Sequence, residues 1–511
     1  MTKYRDVVIC LLLFAGSLLP RLLLISKGPF TPDALNLAII AEQTLLTGQL
    51  HAQYGTGYPL LVLITAGFVG LAKLIGLADP VTGANLMGVT CGALSVPVLY
   101  VFVRRILDRP AAIMSAVLFS LSPIYFGTSV YGTGQAAEHI FLGGGLILLW
   151  EYARGGRWRT LAAAALVFGL MGAVRLQDLA FVSPAIVFFL VFVRPADGAA
   201  GRGAWSRRLR EVLFLGAIVG AVIVLFHLPL LLGPNRSDYA TRYHRFQSAT
   251  FMSGHFGIRT YMFGQFRTWL TQNFSVLGLT AILLGFLLLM ARRSRLGLFL
   301  LIWICGPLIF YLLIDTTIPR LMVIVLPPLC VAAGYLLGFF YGRGSVISRI
   351  VSAGLCALIG FMMFMEVLPY VKFRHEHALV PEMVRWVRAQ VPEDARMILL
   401  DEHLFYEHYG DFPVLSRPRP RGPGYTERLE MFEAQLKELS ARGVPVYATG
   451  VGIYSDDAQQ RFAGFLKDRY TFHVIGAPFF EDWHHGELKN FIFRNIVIRL
   501  SPKPGTGAVD Q

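Results

Sequence analysis

The chain has 511 residues, of which 55% are hydrophobic and only 15% are charged. This composition excludes an ordinary soluble enzyme and predicts an α-helical polytopic membrane protein. The formal net charge of +14 does not imply a nucleic-acid partner, because lysine and arginine collect in the cytoplasmic loops of membrane proteins. The five cysteines stand singly within apolar runs, without disulfide or zinc-ligand spacing.

The first apolar run, Val7 to Ile25, follows Lys3 and Arg5. Its length, and the absence of a small-residue cleavage site before Lys27, indicate a retained membrane anchor rather than a signal peptide.

The segment TPDALNLAIIAEQTLLTG, residues 31–48, comes next and carries a carboxylate at a membrane surface. Thr31 is a helix-capping residue, Pro32 suits the first helical turn, and Gly48 is a helix stop. The helix dipole at this position favours a negative charge on Asp33. The apolar and polar residues separate onto opposite faces, apart from Glu42, so we expect an interfacial helix.

The distribution of arginine decides how many of the apolar runs cross the membrane. If the run 59–77 were a full crossing, Arg104, Arg105, Arg109 and every later basic cluster would lie on the outer side. If 59–77 instead returns to the face it entered, all these clusters become cytoplasmic. We therefore expect about eleven crossings, a cytoplasmic N-terminus and an extracytoplasmic C-terminus. The candidate runs are 7–25, 59–77, 84–103, 110–127, 138–153, 160–174, 179–193, 211–232, 273–291, 297–314, 321–341 and 350–369.

This topology collects unusual residues on the outer face. Glu138 and His139 begin a span, and Arg175 lies in a short charged connection that could sit below the membrane surface. An ionisable residue at that depth is a functional candidate by default. Glu138 is either a carboxylate at a helix N-terminus or a second active-site acid. Arg320 is either an interfacial anchor or a phosphate ligand.

The outer loop 233–272 is basic and aromatic, on the side where basic residues are least expected. It contains His244 and Arg245 among further arginines and tyrosines. One interpretation is a solvated loop that contacts lipid headgroups. The other is a lid that binds the phosphate of an anionic lipid while its aromatic rings pack on a sugar.

The composition changes after Tyr370. Residues 371–500 combine helical and strand patterns and predict a soluble extracytoplasmic α/β domain, and 501–511 predict a disordered tail. The sequence contains no glycine-rich nucleotide loop, P-loop or tandem repeat.

Five motifs in order resemble the GT-C fold glycosyltransferases. They are PDALNLA, GYPLLVLITAGFVGLAKLIG, a span ending in Arg104–Arg105, LSPIYFGTSVYGTGQAAEH and PRLMVIVLPPLCVAAG. More narrowly, the chain is similar to the dolichyl-phosphate-mannose protein mannosyltransferase superfamily, which includes bacterial lipid A aminoarabinose transferases. The resemblance covers most of residues 1–340. The family usually has Asp-Glu at Asp33–Ala34, often a basic residue and a proline pair at Tyr58–Pro59–Leu60, and usually Asp near Glu138.

The resemblance implies a catalytic membrane domain, residues 1–370, with interfacial helices in outer loop 31–77. It implies transfer of a sugar from a polyprenyl-phosphate donor to a glycan, lipid or protein acceptor, at the outer face of a bacterial inner membrane. Asp33 would be the base of an inverting reaction, with Glu138 as a second carboxylate.

The resemblance also implies residues that bind the two substrates. Arg320, Arg245 and Arg175 would bind the donor phosphate, and Tyr58, His139 and His244 would contact donor or acceptor. No nucleotide is implied, and no pattern supports a divalent metal, although the chemistry admits one.

A transporter or flippase for a lipid-linked saccharide is the alternative from another class. Such a protein would place ionisable residues near the middle of the bilayer and show two related halves. The spans here are nearly uncharged at mid-depth and no half-repeat is visible. A non-catalytic receptor or assembly subunit, for which Asp33 would be dispensable, ranks last.

Overall fold

A computed structural model describes residues 2–193, 202–250, 260–313, 319–400, 402–418, 424–454, 461–477 and 496–503. The chain forms two compact units. The first comprises Met1–Lys27 and Asn36–Glu376, and the second comprises Gly28–Leu35 and His377–Gln511. Residues 28–35, which we had assigned to the membrane domain, therefore belong to the second unit.

The first unit is helical. Its elements are α1 (Thr2–Leu23), α2 (Pro32–Thr47, which begins in the second unit), α3 (Pro59–Leu74), α4 (Pro80–Ile106), α5 (Arg109–Leu121), α6 (Pro123–Ser129), α7 (Gln135–Gly155), α8 (Trp158–Val174), α9 (Leu176–Phe188), a π-helical turn (Phe189–Val193), α10 (Arg202–Leu232), α11 (Arg236–Thr250), α12 (Thr260–Asn273), α13 (Val276–Arg292), α14 (Ser294–Leu313), a 3-10 segment (Pro319–Val325), α15 (Leu326–Gly342) and α16 (Val346–Glu376).

Several of these helices are long and apolar enough to cross a membrane. Among the described residues there are six, or up to eight if each of two bent pairs forms one span. The protein is therefore an integral membrane protein, while the count of eleven crossings stays a prediction. Helix α3 belongs to a shorter apolar group. Its 16 residues would extend about 24 Å, less than the ~30 Å hydrocarbon core.

The local chemistry that predicts α2 is confirmed. The Thr31 hydroxyl accepts a hydrogen bond from Ala34 N at 3.2 Å, and Gly48 adopts a positive φ of 67° after the last turn. Glu42, which interrupts the apolar face, forms an ion pair of 2.5 Å with Lys73 of α3. This pair joins α2 to α3 and gives each of the two charged side chains a partner of opposite charge.

The apolar run 110–127, predicted as one span, is broken into α5 and α6 with a bend of 62°. The break falls at Ser122–Pro123, because proline cannot continue the hydrogen-bond ladder. Main-chain groups freed by the break find side-chain partners. Arg21 of α1 donates to Ser120 O at 2.8 Å, and Asn273 Oδ1 accepts from Ile124 N at 3.0 Å.

Helices α5 and α15 approach each other closely through small residues. Gly334 and Gly338 are one turn apart on α15, and a Cβ added at Gly338 would lie 2.6 Å from Cα of Ala111. Such small-residue contacts allow main chains to pack in a membrane, where lipid is as apolar as the side chains. The core of the first unit surrounds this contact.

The second unit contains a five-stranded sheet with flanking helices. Its elements are α17 (Leu379–Gln390), β1 (Arg396–Leu399), α18 (His403–Gly410), β2 (Val414–Ser416), α19 (Tyr425–Ala441), β3 (Val446–Thr449), α20 (Gly450–Tyr454), α21 (Arg461–Arg469), β4 (Tyr470–Gly476) and β5 (Val497–Pro502). The strand order is β2-β1-β3-β5-β4. Strand β1 is parallel to β2 and β3, while β5 is antiparallel to β3 and β4.

Two boundaries in this part of the chain differ from the expected ones. Helix α16 continues past Tyr370 to Glu376, because its last two turns still pack apolar residues such as Val371 and Phe373. Strand β5 extends to Pro502, within the stretch predicted as a disordered tail, since Pro502 is paired with Tyr470 of β4. Residues 478–495 of the predicted α/β domain lie outside the described residues.

Candidate active site

The candidate site lies where two helices begin next to a broken helix. Glu138 is in the first turn of α7, and Asp178 is in the first turn of α9. Arg175 separates α8 from α9 in an extended conformation, with φ of −152°. Helix N-termini favour negative charge, so the local fold suits both carboxylates. The sequence Arg175-Leu-Gln-Asp178 then puts the guanidinium and one carboxylate one helical turn apart.

These three charged side chains form a buried cluster. Arg175 Nε lies 2.7 Å from Asp178 Oδ2 and 3.4 Å from Glu138 Oε2. Glu138 and Asp178 are each 1% exposed, and Arg175 is 4% exposed. Two carboxylates thus share one guanidinium inside the protein. When both carboxylates are ionised the cluster carries one negative charge in excess, which a developing positive charge or a proton would offset.

His139 packs next to Glu138 and away from water. Its Nδ1 lies 2.6 Å from Gln135 O and 3.8 Å from Glu138 Oε1. The imidazole also faces the backbone of Val323, in the 3-10 segment that begins with Pro319 and Arg320. The rings of Phe119 and Tyr125 each lie 5.4 Å from the imidazole.

Tyr58 contacts the same region from the loop before α3. Its main chain is left-handed, with φ of 51° and ψ of 47°, a conformation that is strained for a residue with a side chain. Its hydroxyl donates to Gln177 Oε1 at 3.2 Å. Burial raises the pKa of Tyr58, and the nearby guanidinium of Arg175 partly opposes that rise. The phenol therefore stays protonated and remains a hydrogen-bond donor at neutral pH.

Comparison with known proteins gives matches of three kinds. The family described as dolichyl-phosphate-mannose-protein mannosyltransferase matches residues 70–228. The undecaprenyl phosphate-alpha-4-amino-4-deoxy-L-arabinose arabinosyl transferase of Pseudomonas paraeruginosa (strain DSM 24068 / PA7) is 28% identical over 45% of this chain and 41% of its own length. The match thus spans about two fifths of the length of that curated relative.

Two solved structures align along most of the chain. The crystal structure of ArnT from Cupriavidus metallidurans bound to undecaprenyl phosphate superposes with a TM-score of 0.58 and 13% identity, over 99% of both chains. The oligosaccharyltransferase of Archaeoglobus fulgidus in the apo form superposes with a TM-score of 0.59 and 14% identity, over 92% of this chain and 73% of its own. The chain has the GT-C glycosyltransferase fold.

The GT-C fold brings together only some of the residues singled out from the sequence. Glu138, His139, Arg175 and Tyr58 meet in the first unit. Asp33 lies in the first turn of α2, in the segment that belongs to the second unit, and its side chain is half-buried.

The three remaining predicted residues are Arg320, His244 and Arg245. Arg320 is half-buried at the start of the 3-10 segment. His244 is exposed on α11, where its ring lies 6.3 Å from that of Tyr243. Arg245 follows on the same helix, and its side chain lies outside the described part of the chain.

Asp178 is the site residue that was missing from the predicted set. The signal was its spacing of three from Arg175 at the start of an apolar run, which places an acid and a base on one helical turn. In the described ranges, no group of three or more histidine, cysteine, aspartate or glutamate side chains is arranged to hold a metal ion.

Proposed function

We propose that this protein is a membrane glycosyltransferase that moves a sugar from a polyprenyl-phosphate donor to an acceptor at the extracytoplasmic face. The observation that carries the proposal is the buried cluster of Glu138, Arg175 and Asp178 within a GT-C fold. Three buried charges are costly to a membrane protein, and side chains of this kind at membrane depth mark functional sites by default.

The comparisons support the donor class. The arabinosyl transferases that match this chain are named for a sugar linked to undecaprenyl phosphate, and a structure of similar fold binds undecaprenyl phosphate. We infer that the donor here is likewise a sugar on a long polyprenyl phosphate. The acceptor is a hydroxyl or phosphate group of a glycan, lipid or protein.

In the proposed reaction the acceptor oxygen attacks the anomeric carbon and the bond from that carbon to the lipid phosphate breaks. Asp33 takes the proton of the acceptor and the anomeric centre inverts. A carboxylate in the first turn of a helix stays ionised, which suits a base. Positive charge develops on the sugar ring as the bond breaks, and the excess negative charge of the buried cluster would stabilise it.

The departing lipid phosphate needs preorganised positive charge. Arg320 is the first candidate, because it stands at the start of an apolar helix and guanidinium binds phosphate through a fixed fork of donors. Arg245 is the second. Arg175 is already directed at two carboxylates through its Nε, so we assign it mainly to holding Glu138 and Asp178 in place.

The proposed orientation has the N-terminus in the cytoplasm, about eleven crossings of a bacterial inner membrane, and the second unit outside. The basis is the positive-inside rule. Single cysteines introduced at Lys73 and Arg109, in a variant without the five native cysteines, test it through labelling by a membrane-impermeant maleimide. Lys73 should label from outside and Arg109 only after permeabilisation. The reverse pattern would refute the topology.

Sugar transfer tests the function directly. Purified protein in nanodiscs is incubated with a panel of polyprenyl-phosphate sugars, including 4-amino-4-deoxy-L-arabinose, and with membrane acceptors. Transfer from one donor by the wild-type protein is expected, with a loss of at least about a hundredfold in Asp33→Asn. Glu42→Gln is the matched control, since it neutralises another carboxylate of α2 that is paired with Lys73. Equal transfer by wild type and Asp33→Asn would exclude Asp33 as base, and no transfer from any donor would favour a transporter.

A further inference from the structure

The loop before α3 carries Tyr58. Side chains from other parts of the first unit hold this loop in place. The strained main chain of Tyr58 follows Gly57, which has φ of 81°. Within the loop, Gln53 N donates to Gly57 O at 3.2 Å and Gly57 N donates to Tyr54 O at 2.8 Å. These bonds close a turn, but they do not attach the turn to the rest of the protein.

Asn36 of α2 attaches the turn at one end by donating to Gln53 O at 3.0 Å, and His227 near the end of α10 attaches it next to Tyr58. The Nε2 of His227 lies 3.1 Å from Thr56 O, and its Nδ1 lies 2.8 Å from Ile223 O. A carbonyl oxygen only accepts and a neutral imidazole carries a single N–H, so the tautomer with its proton on Nε2 donates to Thr56 O, while a protonated ring would donate to both carbonyls. His227 is 7% exposed, and a Cβ added at Gly57 would lie 2.8 Å from Leu230 and 3.4 Å from the imidazole. The loop therefore packs closely against this face of α10, and a side chain at position 57 would clash with Leu230.

Two further side chains bind the same loop from α11 and the turn before it. Asn235 Nδ2 donates to Leu50 O at 3.3 Å, and Arg242 Nη1 approaches Gln53 O at 3.5 Å. Main-chain carbonyls at three points of the loop are thus held by side chains of residues 227–242. We refer to His227, Asn235 and Arg242 as the loop clamp.

We propose that His227 is a positioning residue for Tyr58, and that the loop clamp sets the place of the Tyr58 hydroxyl at the sugar-transfer site. This inference rests on the proposed function. The chain of contacts runs from His227 to Thr56 O, then through one residue to Tyr58, and from the Tyr58 hydroxyl to Gln177, which lies between Arg175 and Asp178. A strained main chain persists only where its surroundings determine it, and His227 supplies that restraint two residues from the strained position.

A double-mutant cycle on sugar transfer tests the proposal. His227→Ala should lower transfer by about tenfold to a hundredfold, because small displacements of a positioning group cost that much. In a Tyr58→Phe background the same substitution should cost less than about twofold, since the group it positions is already gone. His227→Gln, which keeps a donor for Thr56 O, should recover most of the loss. Equal losses in the two backgrounds would overturn the proposal.

A second readout does not depend on transfer. Fluorotyrosine placed at position 58 reports the surroundings of that ring through its ¹⁹F resonance. The resonance should shift in His227→Ala and return in His227→Gln. It should stay in place in Val224→Ala, a matched control on an exposed position of α10. An unchanged resonance in His227→Ala refutes the positioning role. A wild-type protein that transfers no sugar yet shows the shift refutes the proposed function alone.

Discussion

Two buried arginines of the first unit are stabilised in opposite ways. Arg21 is completely buried, and its hydrogen bonds go to neutral oxygens: Ser17, Ser120 and Ser129 accept them at 2.6 to 3.3 Å. The ring of Phe126 lies 4.6 Å from its guanidinium. Arg175 instead faces two carboxylates.

On the proposed function, this difference separates a charge that serves the fold from one that serves the reaction. Arg21 donates to Ser120 O at the break between α5 and α6, so it supplies a partner for a main-chain carbonyl that the bend leaves outside the helical ladder. Arg175 contacts two carboxylates, so these three side chains carry one negative charge in excess when both carboxylates are ionised. A charge used for folding is matched by its surroundings, whereas an excess charge suits a partner that arrives during the reaction.

Arg175→Met should have the largest effect on stability. It leaves two buried carboxylates without a counter-charge, and we expect the free energy of unfolding in detergent to fall by about 3–5 kcal/mol. Sugar transfer should be lost as well. Arg175→Lys, the matched control, keeps the charge and should recover part of the stability. An unfolding temperature of Arg175→Met equal to that of the wild type would show that the carboxylates find other partners.

Arg21→Met should cost somewhat less. It removes a donor from Ser120 O and from three serine hydroxyls, and we expect a loss of about 2–4 kcal/mol. The protein that remains folded should transfer sugar at a nearly normal rate, because no part of the cluster changes. Unfolding curves and transfer rates measured on the same preparations check the expected loss of stability and the expected transfer rate. Loss of sugar transfer at unchanged stability would show that Arg21 acts in the reaction, and would contradict its assignment as a structural charge.

Glu138→Gln should reverse that pattern. The Arg175–Asp178 pair at 2.7 Å remains, so the free energy of unfolding should change by less than about 1 kcal/mol. Transfer should fall by about a hundredfold or more, because the excess negative charge is gone. Steady-state kinetics should show the fall mainly in kcat. A variant that is unstable yet fully active would mean that Glu138 serves the fold.

Glu42→Gln should have the smallest effect. The pair with Lys73 is partly exposed, with side chains 24% and 31% accessible, and such pairs contribute at most about 1 kcal/mol. The unfolding temperature should drop slightly at low salt and less at high salt, because exposed pairs are screened. A drop in the unfolding temperature as large as that of Arg175→Met would show that the ion pair between α2 and α3 is essential for stability.

Features that depend only on neighbouring residues in the chain can be predicted from the sequence. The start and end of α2 follow from Thr31, Pro32 and Gly48, each of which acts within one turn of its own position. The charged connection at Arg175 was recognised because ionisable residues at membrane depth are rare. Both predictions needed only neighbours in the chain.

Contacts between distant residues could not be predicted in the same way. Arg21 lies within an apolar run, and the sequence gives no sign that it is paired. Ser17 is one turn before it, but its other partners, Ser120 and Ser129, are about a hundred positions away. The break at Pro123 was treated as the middle of a span for the same reason. Asp178 could not be selected from the sequence, since only the fold brings Glu138 to the guanidinium that Asp178 contacts.

The close contact between α5 and α15 also has a consequence for synthesis of the protein. The surface of α5 that receives Gly334 and Gly338 is made of Ala111 and Ser115, and it is complete at Leu121. Its partner helix begins at Leu326, roughly 200 residues later, which corresponds to about 10–40 s of translation. During that time α5 is synthesised without the helix that packs on Ala111 and Ser115, so this contact forms late in the synthesis of the chain.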